Sequence, residues 1–350
     1  IQQIEAVQAG LSGPLAEFTR EVIASGNSPI SRLEAIATYK ETDSIGKLLG
    51  ETEFATDSDL DIVPIISMED ALDNTISKVV LSNLGHAGAS LYEADLARGR
   101  VLTTTGIPNR LTPDSLLTNA YINSGLLSGY FAEHPTKRIL ATGGGMSSII
   151  AIAMAPIDRQ FGVKSMRIET MQGRDGEDTR GWPVEISDKV DDDAEQIRRE
   201  LRRLLGKPAI DSELSITSVP KLANWDVGHH AKIDFQLEDS ASAGEIRSLL
   251  KKNKAPKWLK HSLSYGAYKP RRHPVKVMPS NESERLVTWE DYPKQGLRYG
   301  IQPMKIRARL EKLPGGKMQG SEIEVAGDNF MVVPIMMMNI GQGLREGLIK

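Results

Sequence analysis

The sequence predicts an α/β protein in which a mostly parallel sheet is covered by helices. Two observations predict this class. In the first third of the chain, short apolar runs typical of buried strands alternate with segments of helical spacing. From about residue 136 the pattern changes to longer strands and longer amphipathic helices. Alternating strands and helices are typical of parallel sheets, and the change of pattern indicates a second domain.

The first third opens with a short strand, IEAVQAG, that ends in glycine. The next segment, PLAEFTREVIAS, is predicted to be a helix because Leu15, Phe18 and Val22 fall on one face. Helical patterns also occur at ALDNTI and ASLYEADLARG. The remaining apolar runs are predicted to be buried strands: LEAIATY, DIVPII, KVVLSNLG and RVLTTTG.

The second part of the chain is predicted to contain longer elements of both kinds. The predicted strands are KRILATGG, VKSMRIETMQG, AKIDFQLE and IQPMKIRARLEKL. The predicted helices are SSIIAIAMAPIDRQF, DAEQIRRELRRLLG, AGEIRSLLKK and the apolar NFMVVPIMMMNIGQGLREGL, the last despite Pro334. Residues 254–295 are rich in Lys, Pro and Ser, and are predicted to be a long irregular connection.

Composition excludes several classes of function. The chain has 350 residues, 40% of them hydrophobic, and a formal net charge of −3, which argues against a nucleic-acid-binding surface. It has no cysteine, so disulfides, thiolate metal sites and cysteine nucleophiles are excluded. No apolar stretch is long enough to span a membrane, and no signal peptide opens the sequence. We expect a cytoplasmic protein that binds no nucleic acid and no membrane.

A glycine-rich turn, GLSGPLA, follows the opening strand. Glycines at such a turn allow the backbone to approach a pyrophosphate, which then lies at the N-terminus of the next helix. Because short glycine-rich turns are common, a purely structural turn is about as well supported by this motif alone. The candidate cofactor-binding residues at this turn are Gly10, Ser12, Gly13, Pro14 and Leu15.

The end of a later strand, ATYKET, carries Thr38 and Lys40. A site specific for NAD has an acidic residue at this place, whereas a cation and a hydroxyl suit the 2′-phosphate of NADP. The two residues therefore predict NADP(H) as the cofactor. A surface lysine without a binding role explains Lys40 equally well.

The stretch LATGGGMSSII has the form of a catalytic elbow between a strand and a helix. Glycines make the sharp turn, and backbone N–H groups at the helix start attract an anion. Gly145 and Met146 occupy the tip, and a methionine neither attacks a carbonyl nor donates a proton. Ser147 and Ser148 follow, but hydroxyls at a helix start are typical of N-caps, and no Ser–His–Asp spacing is present.

Two further stretches carry polar candidates. Gln172 stands where a strand enters a polar loop, and Glu200 and Arg203 lie three apart on one face of a helix. A surface ion pair is the simpler explanation for the latter two. His229 and His230 open a strand and therefore point to opposite faces. They make no metal site without a third ligand, so we predict no bound metal.

Read in order, these stretches resemble the aspartate-semialdehyde dehydrogenase family. GLSGPLA is similar to the family's GxTGxVG turn, SNLG to its SALP loop, and NRLTPDSLLTNAYIN to RMDPDVPLVIPEVN. TGGGMSSI corresponds to TNPNCSTI, TMQGRDG to TYQAVSG, ELRRLLG to ETRKILG, VGHH to GHS, and GDNF to GDNL. The resemblance spans nearly the whole chain.

The resemblance implies a Rossmann-type dinucleotide-binding domain of residues 1–135 and 327–350, with a mixed α/β catalytic and dimerisation domain of residues 136–326 inserted into it. It also implies a homodimer formed through the second domain. Residues Ser82 and Asn329 would join the cofactor site.

The resemblance also implies roles for the polar candidates. Gln172 matches the glutamine that orients the substrate, and His229 matches the acid–base histidine. Glu200, Arg203 and Arg110 match residues of the substrate and phosphate pocket. In these roles the chain keeps the family's pattern.

At three positions the chain departs from the family. Met146 stands at the nucleophilic cysteine, Tyr121 at the glutamate of PEVN, and Ser218 at the substrate-clamping arginine. A thioether has no ionisable proton, so the thioester mechanism is unavailable. Two hypotheses follow. Either the protein is an NADP-dependent oxidoreductase that transfers hydride directly to a small anionic carbonyl or imine, protonated by His229 or Tyr121, or it is a catalytically inactive paralogue with a structural or regulatory role.

Overall fold

The computed structural model has the predicted α/β architecture. It describes residues 22–24, 65–67, 79–82, 93–95, 97–136, 138–172, 185–187, 191–207, 214–223, 229–254, 275–277, 306–310, 318–327 and 332–349. Among these, four strands form a parallel sheet and seven form a mixed sheet, with helices packed against both. The α/β fold class predicted from the sequence is confirmed.

A separate parallel pair joins β1 (Val22–Ala24) to β2 (Ile65–Ser67). The sequence predicted a helix through Val22, so this prediction is wrong for these three residues. Val22 and Ile23 are β-branched, and β-branched side chains favour strands over helices. The predicted strands IEAVQAG and LEAIATY and the predicted helix ALDNTI lie outside the described residues.

The parallel sheet consists of β3 (Val79–Ser82), β4 (Val101–Thr104), β5 (Leu116–Leu117) and β6 (Arg138–Ala141). Their order in the sheet is β3-β4-β6-β5. β4 is buried along its whole length, as expected of a parallel strand covered on both faces. All pairings are in parallel register, so Ser82, Thr104 and Ala141 align at the carboxyl-terminal edge of the sheet.

The mixed sheet consists of β7 (Val163–Gln172), β8 (Glu185–Ser187), β9 (Ser215–Ala223), β10 (His229–Ala241), β11 (Val275–Val277), β12 (Ile306–Leu310) and β13 (Met318–Gly327). Their order in the sheet is β11-β12-β13-β10-β7-β9-β8. On β10, buried and exposed side chains alternate, so one face is core and the other faces solvent. β11 lies within residues 254–295, which were predicted to be irregular; its alternating Val-Lys-Val pairs with β12.

The α-helices described beside the sheets are α1 (Ile107–Leu111), α2 (Leu127–Glu133), α3 (Gly145–Phe161), α4 (Asp191–Leu204), α5 (Ala243–Lys252) and α6 (Val332–Arg345). α3 is buried from Gly145 to Ile157 and packs on β10 and α4. α4 ends as predicted before Gly206, whose φ of 75° favours glycine. α5 begins with a capping box between Ser242 and Glu245.

The last helix, α6, packs against the parallel sheet. It contacts β4 and β6, and the Asn339 Nδ2 atom donates to the Thr118 carbonyl at 3.2 Å. β6 belongs to the same parallel sheet although it begins at residue 138, slightly beyond the predicted domain boundary at 135. The proposed division of the chain into two domains stays a prediction. None of the helices in the described ranges is long and apolar enough to cross a membrane.

Candidate functional site

The glycine elbow lies at the carboxyl-terminal end of β6. The strand ends at Ala141, and α3 begins at Gly145 with Gly144 as its N-cap. A Cβ atom on Gly144 would lie 2.8 Å from Arg110 Nη1, and one on Gly143 would lie 3.1 Å from Leu204 Cδ1. Glycines at these two positions therefore let the Arg110 guanidinium and α4 approach the turn closely.

Met146 is buried in the first turn of α3 and belongs to the hydrophobic core. Its thioether is polarizable and has no titrating group, and it packs among the other core side chains. Ser148 is also buried, and its hydroxyl donates to the Gly143 carbonyl at 3.1 Å. The N-cap residue is Gly144, with no side-chain capping bond, so the expectation that the serines cap the helix is wrong for both Ser147 and Ser148, which lie inside α3.

Glu200 occupies the anion position at the elbow. Its carboxylate is fully buried, and Oε2 accepts the Gly144 N–H at 2.8 Å. Oε1 accepts Gln196 Nε2 at 2.7 Å and lies 3.4 Å from Arg110 Nη1. Glu200 is thus not the surface partner of Arg203 that its spacing suggested. The Gly144 N–H, which we expected to hold an anionic substrate group, is already bonded to this carboxylate.

Arg203 holds the segment that carries Arg110. Its Nη1 donates to the Arg110 carbonyl, and its Nη2 donates to the Ser115 carbonyl at 2.5 Å. Burial lowers the pKa of Arg203, and the nearby Glu200 carboxylate opposes this shift. Arg110 is further fixed by its Nε, which donates to the Thr105 carbonyl at 2.5 Å. The two arginines and Glu200 therefore form one connected group beside the elbow.

His229 and Gln172 are direct neighbours across two antiparallel strands. His229 opens β10, and in the sheet register it stands opposite Gln172 of β7 on one side and Gly327 of β13 on the other. His229 is buried on the helix-covered face, whereas His230 is partly exposed, as their alternation predicted. The structure describes Gln172 by its backbone only. No group of three or more metal-ligating side chains comes together in the described ranges.

Tyr121 is buried beside the elbow's sheet and belongs to the core. Within the described part of the chain its Oη has no hydrogen-bond partner. Burial raises its pKa far above the ordinary phenol value. A phenol in this state gives up its proton less readily, so of the two predicted proton donors His229 is the better suited.

Sequence reasoning missed Glu93. Its fully buried carboxylate accepts the Ser82 hydroxyl at 2.5 Å, together with the Thr104 hydroxyl and Asn109 Nδ2. In the sequence Glu93 is one of several charged residues in a helical pattern, and no spacing distinguishes it. The contact also means that the hydroxyl of Ser82, a predicted cofactor residue, is engaged by Glu93.

Comparison with solved structures gives a consistent result. An aspartate-semialdehyde dehydrogenase from Candida albicans, solved with NADP, superposes with a TM-score of 0.67 at 11% identity over 93% of this chain and 98% of that one. A probable aspartate-semialdehyde dehydrogenase from Pseudomonas aeruginosa gives 0.61 at 10% identity, over 93% and 98% of the two chains. The Vibrio cholerae enzyme II, solved with ASA, gives 0.58 at 12% identity, over 80% and 83%. This chain has the aspartate-semialdehyde dehydrogenase fold.

The relationship to the aspartate-semialdehyde dehydrogenases is seen in structure rather than in sequence. No protein-family model matches the chain, and no curated protein matches it either. The resemblance inferred from short motifs is confirmed at the level of the fold.

Several predicted cofactor residues lie outside the described residues: Gly10, Ser12, Gly13, Pro14, Leu15, Thr38, Lys40 and Asn329. Of the predicted substrate-site residues, the structure brings together Arg110, Glu200, Arg203, Gly145 and Met146 at the elbow. In this chain the elbow follows the parallel sheet, and His229 and Gln172 pair in the mixed sheet. Their roles stay predictions.

Proposed function

We propose that this protein is an NADP(H)-dependent oxidoreductase that transfers hydride directly to a small anionic carbonyl or imine substrate. The observation that carries the proposal is the elbow. Met146 is buried there in place of a nucleophile, while Arg110 is paired with Glu200, and Glu200 accepts a hydrogen bond from the turn. The dehydrogenase fold supports the reaction class.

The proposed chemistry needs no covalent intermediate. When bound, NADPH would supply the hydride that reduces the C=O or C=N bond at carbon, and the protein would supply the proton for the oxygen or nitrogen. His229 is the proposed proton donor, and Gln172 beside it would orient the substrate. The products are NADP⁺ and an alcohol or amine.

Arg110 is the proposed binding residue for the anionic group of the substrate. Its guanidinium is only partly buried and lies against the elbow, whereas both Nη atoms of Arg203 donate to backbone carbonyls. A planar guanidinium suits bidentate binding of a carboxylate or phosphate. Arg203 and Glu200 would then hold Arg110 in place.

A catalytically inactive paralogue is the second candidate. The observation that favours it is the occupation of the Gly144 N–H by the protein's own Glu200 carboxylate. A substrate anion must then do without this donor. The buried phenol of Tyr121, which has no partner among the described residues, points in the same direction. In this case the fold would serve a structural or regulatory role.

Titration with NADPH, NADP⁺ and NADH, followed by calorimetry or by dihydronicotinamide fluorescence, tests the first candidate. We expect NADPH to bind more tightly than NADH, and Lys40→Gln to weaken NADPH much more than NADH because only NADPH has a 2′-phosphate. Lys251→Gln, an exposed lysine in α5, is the control and should change neither affinity. A protein that binds neither dinucleotide is not a dehydrogenase.

A further inference from the structure

Glu93 is a buried carboxyl group to which the proposed reaction assigns no role. Three donors converge on it: the Ser82 and Thr104 hydroxyls on Oε1, and the Asn109 amide on Oε2. All three partners are neutral side chains. Burying a carboxylate is costly unless its oxygens are bonded, and here both are.

The three partners of Glu93 belong to different parts of the candidate site. Ser82 and Thr104 are the last residues of β3 and β4 and stand opposite each other in the sheet register. They lie at the carboxyl-terminal edge, where doubly wound sheets bind their ligands. Asn109, in contrast, belongs to the short helix α1 and directly precedes Arg110.

The start of α1 is tied to the same cluster. The Gly106 N–H donates to Thr104 Oγ1 at 2.7 Å, and Gly106 is the N-cap of α1. Since the Thr104 oxygen accepts this bond, its own hydroxyl hydrogen is left to donate to Glu93. Glu93 therefore fixes α1 at two points, its N-cap through Thr104 and its middle through Asn109.

We propose that Glu93 is a positioning residue that holds α1, and with it the Arg110 guanidinium, against Glu200 and the glycine elbow. The chain of contacts runs from Glu93 through Asn109 and Arg110 to Glu200 and the Gly144 N–H. The importance of this arrangement for substrate binding rests on the proposed function. The positioning itself does not, because it concerns only this chain's own contacts.

The experiment compares two variants that each remove one hydrogen bond to Glu93. Asn109→Ala cuts the link to the middle of α1, whereas Ser82→Ala, the matched control, leaves both links to α1 intact. The readout is hydrogen exchange of the Arg110 Nε–H, which donates to the Thr105 carbonyl at 2.5 Å, measured by NMR on the full chain. We expect exchange at least about fivefold faster in Asn109→Ala than in the wild type, and unchanged in Ser82→Ala.

A purely structural role for Glu93 gives another pattern. Both variants would then lower Tm alike and leave Arg110 exchange equal to that of the wild type, which would overturn the proposal. Glu93→Ala removes both links to α1 and should speed Arg110 exchange at least as much as Asn109→Ala. If Glu93→Ala does not fold, Asn109→Ala decides alone, since Asn109 is only partly buried. Failure to bind NADPH would contradict the proposed function but would leave the hydrogen-exchange result for Arg110 unaffected.

Discussion

At the residue scale, the elbow is an anion-binding turn whose anion is supplied by the protein itself. Gly144 is free of a side chain, so Arg110 approaches to a distance that a Cβ atom would forbid, and the Glu200 carboxylate takes the N–H beside it. Met146, in the first turn of α3, contributes only a buried apolar side chain. The start of α3 thus lies beside an arginine and a carboxylate and carries no nucleophile.

A cysteine introduced by Met146→Cys tests this interpretation. The N-terminal end of α3 favours a thiolate, and Arg110 lies against the nearby Gly144, whereas the Glu200 carboxylate bonded to Gly144 opposes a thiolate. We expect the first two effects to prevail, so that the thiol pKa falls below its ordinary value. We expect alkylation by iodoacetamide at neutral pH to be faster than that of a free thiol. Gln160→Cys, exposed in the last turn of the same helix, is the control and should react no faster than a free thiol.

An inert thiol in the Met146→Cys variant would contradict the assignment of the elbow. Met146→Leu separates shape from reactivity at the same position. The change is nearly isosteric, so it should leave any turnover intact.

The two adjacent histidines offer a second matched pair. With turnover established, His229→Ala should lower kcat by about 100-fold, because a positioned proton donor contributes about this much. His230→Ala removes the same side chain from the opposite face of β10 and should leave kcat within about twofold. Steady-state oxidation of NADPH measures both. Equal losses would show that the effect comes from the strand and not from proton transfer.

At the element scale, the sequence predicts regular structure well wherever periodicity is long. α4 and the strands β7 and β10 follow their predicted segments because burial alternates with the period of the element. α3 is buried throughout from Gly145 to Ile157, and it follows its predicted segment because its apolar run is too long for a strand. The short β1 was mistaken for helix because three residues carry too little periodicity. Partners distant in sequence were also missed, since nothing local connects Glu200 to Gly144 or Glu93 to Asn109.

Arg203→Gln measures how much α4 contributes to holding α1. The change leaves the carbonyls of Arg110 and Ser115 without their guanidinium donor in a partly buried place. We expect the free energy of unfolding, from urea denaturation, to fall by about 1–3 kcal/mol. Arg198→Gln on the same helix breaks only a surface pair with Glu195 and should cost less than about 1 kcal/mol. A cost for Arg203→Gln as small as that of the control would contradict the structural role.

At the scale of the whole molecule, the two sheets present different surfaces. The parallel sheet is covered, and its strand β4 is buried throughout. The mixed sheet has one face under α3 and one face toward solvent, where Lys232 and Glu322 pair at 2.8 Å and Val219 is 41% exposed. An isologous dimer of the kind that the family resemblance implies would bury a solvent-facing surface of this sort. The homodimer implied by the family resemblance would use this second region.

Val219→Asp tests that dimer. Light scattering of the wild type should give about twice the chain mass of 38.4 kDa. If Val219 lies in the interface, the dimer buries the added charge there, so we expect the dimer Kd to rise at least about tenfold. Leu126→Asp is the control, because Leu126 is the other large exposed apolar residue of the described chain and lies beside α2, away from the mixed sheet. A monomeric wild type would contradict the predicted homodimer. A dimer that is weakened only by Leu126→Asp would show that the dimer interface does not include the solvent-facing side of the mixed sheet.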